Sequence, residues 1–363
     1  MVKLLLAAIL MNLAACTMQQ PLPDPLDFQG RMKPTQRSSV MESDEYFTWG
    51  ASPIKGDDGI YHIFYSRWRK DKGFLAWLTH SEIAHATSKC ATGPYQFQEV
   101  VLTASDKDRW DGLSIHNPTV KRFGDKYYIY YSANTGDGVA TYTKFNWSHR
   151  NNQRIGVVES SSLNGPWRRF DTPLIDINHE DQSAHDALMV SNPSVTQMKD
   201  GRYLMIYKAV AMQKKLPGGG PVCHLYAISD SPIGPFKKFN EPIFTAEGSH
   251  FPAEDPYVWL QGDKYYAIVK DMHGSFTGKG QSLALFISEN GVDWAPAPNP
   301  LVSTLEVTWS DGEVVKYSHL ERPQLLIEDG RPTTLFLATD QIADYRGAAE
   351  DAHSFNMHVS LDF

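Results

Sequence analysis

The chain is poor in cysteine, with three in 363 residues; Cys16 lies in the leader, so only Cys90 and Cys223 remain for a single disulfide. It has no basic excess. Lys and Arg number 34 against 42 Asp and Glu, a net charge of −8, and no basic stripe is visible, which excludes nucleic acid as an expected partner. No low-complexity stretch breaks the chain, which argues for one domain over residues 45–363. No spacing of His, Cys or carboxylates reads as a metal site, so neither metal nor cofactor is expected in the chemistry. Hydrophobic residues make up 42% and aromatics 12%, ordinary for a globular protein with a large core and an aromatic-rich cleft.

What the chain has is repetition. Pro53, Pro118, Pro193, Pro256 and Pro323 open the same pattern five times, at spacings of 65, 75, 63 and 67 residues. Each is followed by an apolar run, a Gly-containing turn and an aromatic-rich run, clearest in NPTVKRFGDKYYIYYSA, NPSVTQMKDGRYLMIYKA and DPYVWLQGDKYYAIVKD. A second motif, Ser, a gap, Gly-Pro, an aromatic and Phe, recurs as SKCATGPYQF, SSLNGPWRRF and SDSPIGPFKKF. The runs are too short for helices and are rich in strand formers, as at 127–131 and 203–207. Turns such as Gly124-Asp125 and Asp200-Gly201 join strands one and two, and Gly-Pro joins strands three and four. Five such units predict an all-β fold: a five-bladed β-propeller with four-stranded antiparallel blades around a central axis. The fifth unit runs out at its third strand, so a closing strand is expected from near residues 26–50. Cys90 and Cys223 fall in different blades at non-equivalent positions, which disfavours a disulfide between them.

MVKLLLAAILMNLAAC has a basic start, an apolar run too short to span a membrane, and small residues before Cys16. It resembles the bacterial lipoprotein signal, which implies a signal peptide over 1–16, a lipid anchor at Cys16 and residues 17–44 as a tether. Thr17 after the cysteine leans towards the outer membrane of the cell envelope. A plain secretory signal is the alternative.

Residues before each proline converge at one mouth of such a propeller: Ala51-Ser52, His116-Asn117, Ser191-Asn192, Glu254-Asp255 and Glu321-Arg322. Strand two returns there with Arg67, Asn134, Lys208, Lys270 and Asp271, and the entering loops add Trp110, Asp111 and Asp186. Asn or Asp before Pro is common in turns, and Asp111 and Asp186 could equally cap strands. Glu254-Asp255 is the stronger signal, because adjacent carboxylates at the mouth cost stability unless something uses them. Lys208 and Lys270 either neutralise these acids or meet an anionic substrate. Trp49, Trp68, Trp77 and Trp110 are expected as aromatics at the rim. A structural cation in the central channel is compatible with this arrangement, with His116 nearby.

These motifs, over residues 45–363, resemble the five-bladed β-propeller glycoside hydrolases, including family 43, family 117 and the invertase-like families. The resemblance implies that Asp255-Pro256 corresponds to the Asp-Pro carrying a base, nucleophile or tuning carboxylate. Glu321-Arg322-Pro323 corresponds to a Glu-x-Pro whose Glu is the general acid. It implies catalytic roles for Asp255 and Glu321, with Glu254, Asp186, Asp111 and His116 in support, and sugar contacts from Asn117, Asn192, Arg322, Lys208, Lys270, Trp110, Trp49 and Arg67. The chain departs from family 43 at the blade-one base, where Ser52 stands, and at Asn117 and Asn192 in blades two and three. A distant or separate family is implied. Cleavage needs an acid on the leaving oxygen and a second carboxylate, about 5–5.5 Å away for retention or about 6.5–9.5 Å for inversion. The expected substrate is an oligosaccharide from plant or algal polysaccharide, attacked at a chain end if the long loops at 67–81, 133–154, 209–223 and 271–281 close the pocket. Basic groups near the funnel point towards a uronic or sulfated unit. Two rivals stand: a non-catalytic surface glycan-binding lipoprotein, and a glycoside phosphorylase that would hold phosphate with Arg67, Lys208, Lys270 and Arg322.

Overall fold

Short β-branched and aromatic runs separated by Gly and Asp turns fold as antiparallel strands, in five sheets of four. The computed structural model describes residues 22–141, 144–342 and 352–363; the leader, Cys16 and residues 17–21 of the tether lie outside the described residues. Blade one is Tyr46–Lys55, Tyr61–Arg69, Glu82–Ser88 and Gln96–Leu102. Blade two is Ser114–Phe123, Lys126–Asn134, Arg154–Ser160 and Arg168–Arg169. Blade three is Met189–Gln197, Tyr203–Val210, Val222–Ser229 and Lys237–Ile243. Blade four is Ala253–Gln261, Lys264–Asp271, Ser282–Ser288 and Ala295–Ser303. Blade five is Glu321–Glu328, Arg331–Asp340 and Ser354–Ser360, and its fourth strand is Val40–Met41, paired antiparallel to Ser354–Ser360. The ring therefore closes with a strand from the N-terminal side, two residues long.

Apolar clusters fill the spaces between neighbouring blades; one packs Tyr130, Met205 and Tyr207 of blades two and three, another Ile206, Val258 and Phe286 of blades three and four. Cys90 is exposed and Cys223 buried, and both are free thiols.

Each innermost strand carries one bulge at the mouth. The pairing register slips there in all five blades, and one residue takes left-handed φ: Gly50 (63°), Asn117 (54°), Asn192 (54°), Asp255 (52°) and Arg322 (52°). A bulge bends its strand and re-aims the side chain. In blades two to five this residue precedes the proline. In blade one it does not: Pro53 is two residues further down, and the counterpart of Asn117 is Gly50, not Ser52. The sequence repeat is thus out of phase by two in blade one. Ser52 faces its neighbours inside the ring, its Oγ donating to Gln324 (3.2 Å) and accepting from the Val120 amide (3.0 Å).

Candidate active site

The bulge residues build the floor of a cavity of about 600 Å³ at the mouth of the propeller. Asn117 Nδ2 donates to Asn192 Oδ1 (2.8 Å), and Asn192 Nδ2 donates to Asp255 Oδ1 (2.7 Å). The Arg322 amide donates to Asp255 Oδ2 (3.2 Å), and its Nη2 reaches across to the Asn117 carbonyl (3.3 Å). Four bulge side chains therefore join hands around the axis. The fifth position is glycine because Arg322 lies over it: a Cβ on Gly50 would sit 3.3 Å from Arg322 Cγ. Burial pushes the Asp255 carboxyl up to about 6; Arg322 opposes this, and Glu254 and Glu321 add to it.

The residue before each bulge faces the cavity in blades one, two, four and five: Trp49, His116, Glu254 and Glu321 all line it. The two glutamates are held alike. Lys208, from strand two of blade three, donates to Glu254 Oε1 of blade four (2.7 Å). Lys270, from strand two of blade four, pairs with Glu321 Oε1 of blade five. Burial alone would raise the Glu254 carboxyl, but Lys208 and Lys270 outweigh it and hold it below its ordinary value. In blades one and two the same strand-two position is serine, and Ser66 and Ser132 accept the Asn117 and Asn192 amides instead (2.8 Å each).

His116 is buried, and that burial pushes its imidazole down to about 3. Its Nε2 meets Gln153 Oε1 at 2.9 Å, leaving Nδ1 without a partner. A neutral, buried ring is poorly suited to proton donation. His319 is different: its hydrogen bond to Asp340, with Nδ1 and Oδ2 3.1 Å apart, raises its pKa, and both line the cavity. The wall is aromatic. Trp77 packs edge-on to His116 (5.0 Å) and to Phe145 (6.2 Å), and Phe145 leads to Trp147 (5.6 Å) at the rim. Among the described residues Arg150, also in the wall, donates to two neutral acceptors, Asn151 Oδ1 (2.9 Å) and the Gly218 carbonyl (3.0 Å).

Nine sequence-derived candidates line this cavity: Trp49, His116, Asn117, Asn192, Lys208, Glu254, Asp255, Glu321 and Arg322, along with Trp77. Trp68, expected at the rim, is instead a buried core residue behind the wall, packed on Phe47 (5.6 Å) and Phe74 (5.5 Å). Lys270 lies just behind, on Glu321. Five others point elsewhere. Arg67 is one residue past the inward-facing Ser66, and since neighbouring side chains on a strand face opposite ways, it binds Glu82 (2.8 Å) on the next strand. Asp111 is fully buried, accepting from Ser105 Oγ (2.6 Å) and Tyr131 Oη (3.3 Å) with Arg169 beside it (3.5 Å). Asp186 plays the matching part in blade three, paired with Lys238 (2.7 Å). Trp110 stacks on Tyr131 (5.9 Å) inside blade two. Asp271 accepts loop amides such as Gly274 (2.8 Å) and shapes the turn after its strand. Of the long loops, 67–81 and 133–154 supply wall residues; 209–223 touches the wall only through Gly218, and 271–281 does not line it. Sequence reasoning missed Gln153, Arg150, Phe145, Trp147, Phe251, His319 and Asp340. The FNW and RNNQR segments of the blade-two loop offered a signal, since aromatics and Arg gather at a short helix, Trp147–Asn151. Among the described residues no three His, Cys, Asp or Glu side chains form a metal-ligand cluster.

No protein-family model and no curated relative matches the chain. Solved structures do match in fold. A family 117 glycoside hydrolase of the marine bacterium Zobellia galactanivorans is 17% identical with a TM-score of 0.61, over 92% of this chain and 89% of its own. A thermostable family 43 glycoside hydrolase is 13% identical with a TM-score of 0.59, over 92% and 93%. An α-L-arabinofuranosidase from Lactobacillus brevis is 15% identical with a TM-score of 0.55, over 92% and 94%. The fold is that of the five-bladed propeller glycoside hydrolases.

Proposed function

We propose that this protein is a glycoside hydrolase that removes a sugar from the end of an oligosaccharide. The observation that carries this reading is the pair Glu254 and Glu321, on adjacent blades in one aromatic-walled cavity, each with a single oxygen held by a lysine. Hydrolysis requires two carboxyl groups about the scissile bond. Glu321 is assigned as proton donor to the leaving oxygen and Glu254 as the carboxylate opposite. Asp255, with both oxygens bonded in the floor, positions Arg322 and sets the charge of the site. One observation favours a second donor: His319, kept protonated to higher pH by Asp340, lines the same cavity.

The closed floor and the Trp77–Phe145–Trp147 wall support a pocket for a chain end. Arg150, which has no ion pair among the described residues, supports an anionic group on the substrate, a carboxylate or sulfate ester. The phosphorylase reading loses support because Arg67, Lys208, Lys270 and Arg322 are each engaged with a carboxylate. Anchoring through Cys16 at the outer membrane would place the enzyme where extracellular glycan fragments arrive.

The test is a panel of plant and algal oligosaccharides, neutral and acidic, incubated with the protein in phosphate-free buffer. Release of a monosaccharide supports the proposal. Binding without release would make the protein a glycan-binding propeller.

A further inference from the structure

A second cation crosses the propeller axis beyond the floor. Lys121, on the inner strand of blade two, donates from Nζ to Tyr257 Oη (3.2 Å) and lies 4.3 Å from that ring's centroid. Tyr257 belongs to blade four, which is not adjacent to blade two, so the lysine side chain spans the centre. Tyr257 Oη is itself spent on the Leu325 carbonyl (3.0 Å). An ammonium has three N–H donors, and among the described residues only the tyrosine meets one of them. Burial is the sole influence on it, pushing its pKa down to about 7.

A second unmet donor lies on the inner strand of blade five. Gln324 is 1% exposed; its Oε1 accepts from Ser52 Oγ, while its Nε2 has no partner. Tyr257 Oη, which Lys121 meets, bonds the carbonyl of Leu325, the residue beside Gln324, so the two donors are linked across the axis through that hydroxyl although blades two and five are not neighbours. Ser52, Thr119, Ser194, Tyr257 and Gln324 are counterparts in the five blades, and no Asp or Glu occurs at these positions or the two after them. Glu254, Asp255 and Glu321 lie on the cavity side, and Glu328, at the far end of the blade-five inner strand, is engaged with Lys55 (2.8 Å) and Tyr61 (3.0 Å) of blade one. Buried donors without acceptors cost stability unless something accepts from them, and Lys121 keeps enough exposure for a small ion to reach it.

We propose that the central channel beyond the Arg322 floor is a binding site for a monovalent anion of chloride size, held by Lys121 Nζ and Gln324 Nε2. A cation on this stretch of the axis would face an ammonium with no carboxylate to offset it. The site is independent of the carbohydrate chemistry on the other side of the floor.

Bromide is the probe. Crystals of the protein soaked in sodium bromide are expected to show an anomalous peak on the axis in contact with Lys121 Nζ. Bromide found only on the outer surface, an adventitious ion only, would overturn the proposal. In solution, replacing gluconate by chloride at equal ionic strength is expected to raise the wild-type Tm by about 2 °C or more and to leave Lys121→Met unmoved. An equal rise in both proteins, or none in wild type, would count against it. Should Lys121→Met not fold, Gln324→Leu is compared instead, with a smaller chloride shift expected than in wild type.

Discussion

Arg322 of blade five donates to the main-chain carbonyl of Asn117 in blade two, 3.3 Å away, passing over Gly50 of blade one. Blades five and two are not neighbours, so this one side chain bridges the axis and closes the cavity at its base. Asp255 anchors it, with Nη1 to Oδ1 at 3.5 Å and a bond from the Arg322 amide at 3.2 Å. The floor is therefore a unit, and its parts should fail together.

Gly50→Ala tests the room beneath Arg322. The residue has φ of 63°, and the new Cβ would meet Arg322 Cγ at 3.3 Å. We expect a loss of about 1–3 kcal/mol, read as a lower urea midpoint with an unchanged slope. An unchanged midpoint would mean that the floor yields easily.

Asp255 should make stability depend on pH in the direction opposite to most acids. Its folded pKa, about 6, lies above its ordinary value, so the folded state holds a proton that the unfolded chain releases. Its contribution is then present at low pH and lost as pH rises through 6. Asp255→Asn keeps the shape without the charge. Its stability relative to wild type should improve between pH 4 and pH 7, by on the order of 2 kcal/mol, in urea titrations at the two pH values. A difference independent of pH would show that Asp255 folds already ionised.

Lys208→Met leaves the Glu254 carboxylate without its main partner. Glu254 is held below its ordinary pKa, so its stabilising share is present at neutral pH and lost on acidification. We expect the variant to lose about 3 kcal/mol at pH 7 and distinctly less at pH 4. Turnover should drop as well, since the carboxylate would take up a proton more readily.

Arg150→Met addresses the charge of the substrate. The hydrogen-bond partners of Arg150 among the described residues are the neutral Asn151 and Gly218, and Glu254 acts on its charge without forming an ion pair. KM for an acidic oligosaccharide should rise tenfold or more, equivalent to about 1.4 kcal/mol, while a neutral one should be little affected. Equal effects on both would assign Arg150 to the wall alone.

The blades were legible because a period-2 pattern between Gly and Asp turns is a local property, repeated five times. Glu254 and Glu321 were legible for the same reason, as were Lys208 and Lys270, whose strand-two position repeats. Blade one was misread because proline marked the bulge in four blades, whereas Gly50-Ala51 forms it in the first. Arg67 went astray by one residue, enough to turn a side chain to the other face. Asp111 and Asp186 carry the same spacing to Asn-Pro, yet their ion pairs with Arg169 and Lys238 come from outer strands that no inner-strand motif reveals. His319 and Asp340 meet only through folding, from opposite sides of the innermost strand of blade five.

The central claim is that Glu254 and Glu321 carry out the cleavage. It is tested most directly with Glu254→Gln and Glu321→Gln beside wild type, measuring both sugar release and oligosaccharide binding. We predict that each variant folds and binds while its turnover falls at least a hundredfold, the scale expected for removing an acid or base. Wild-type turnover in either variant would contradict the assignment.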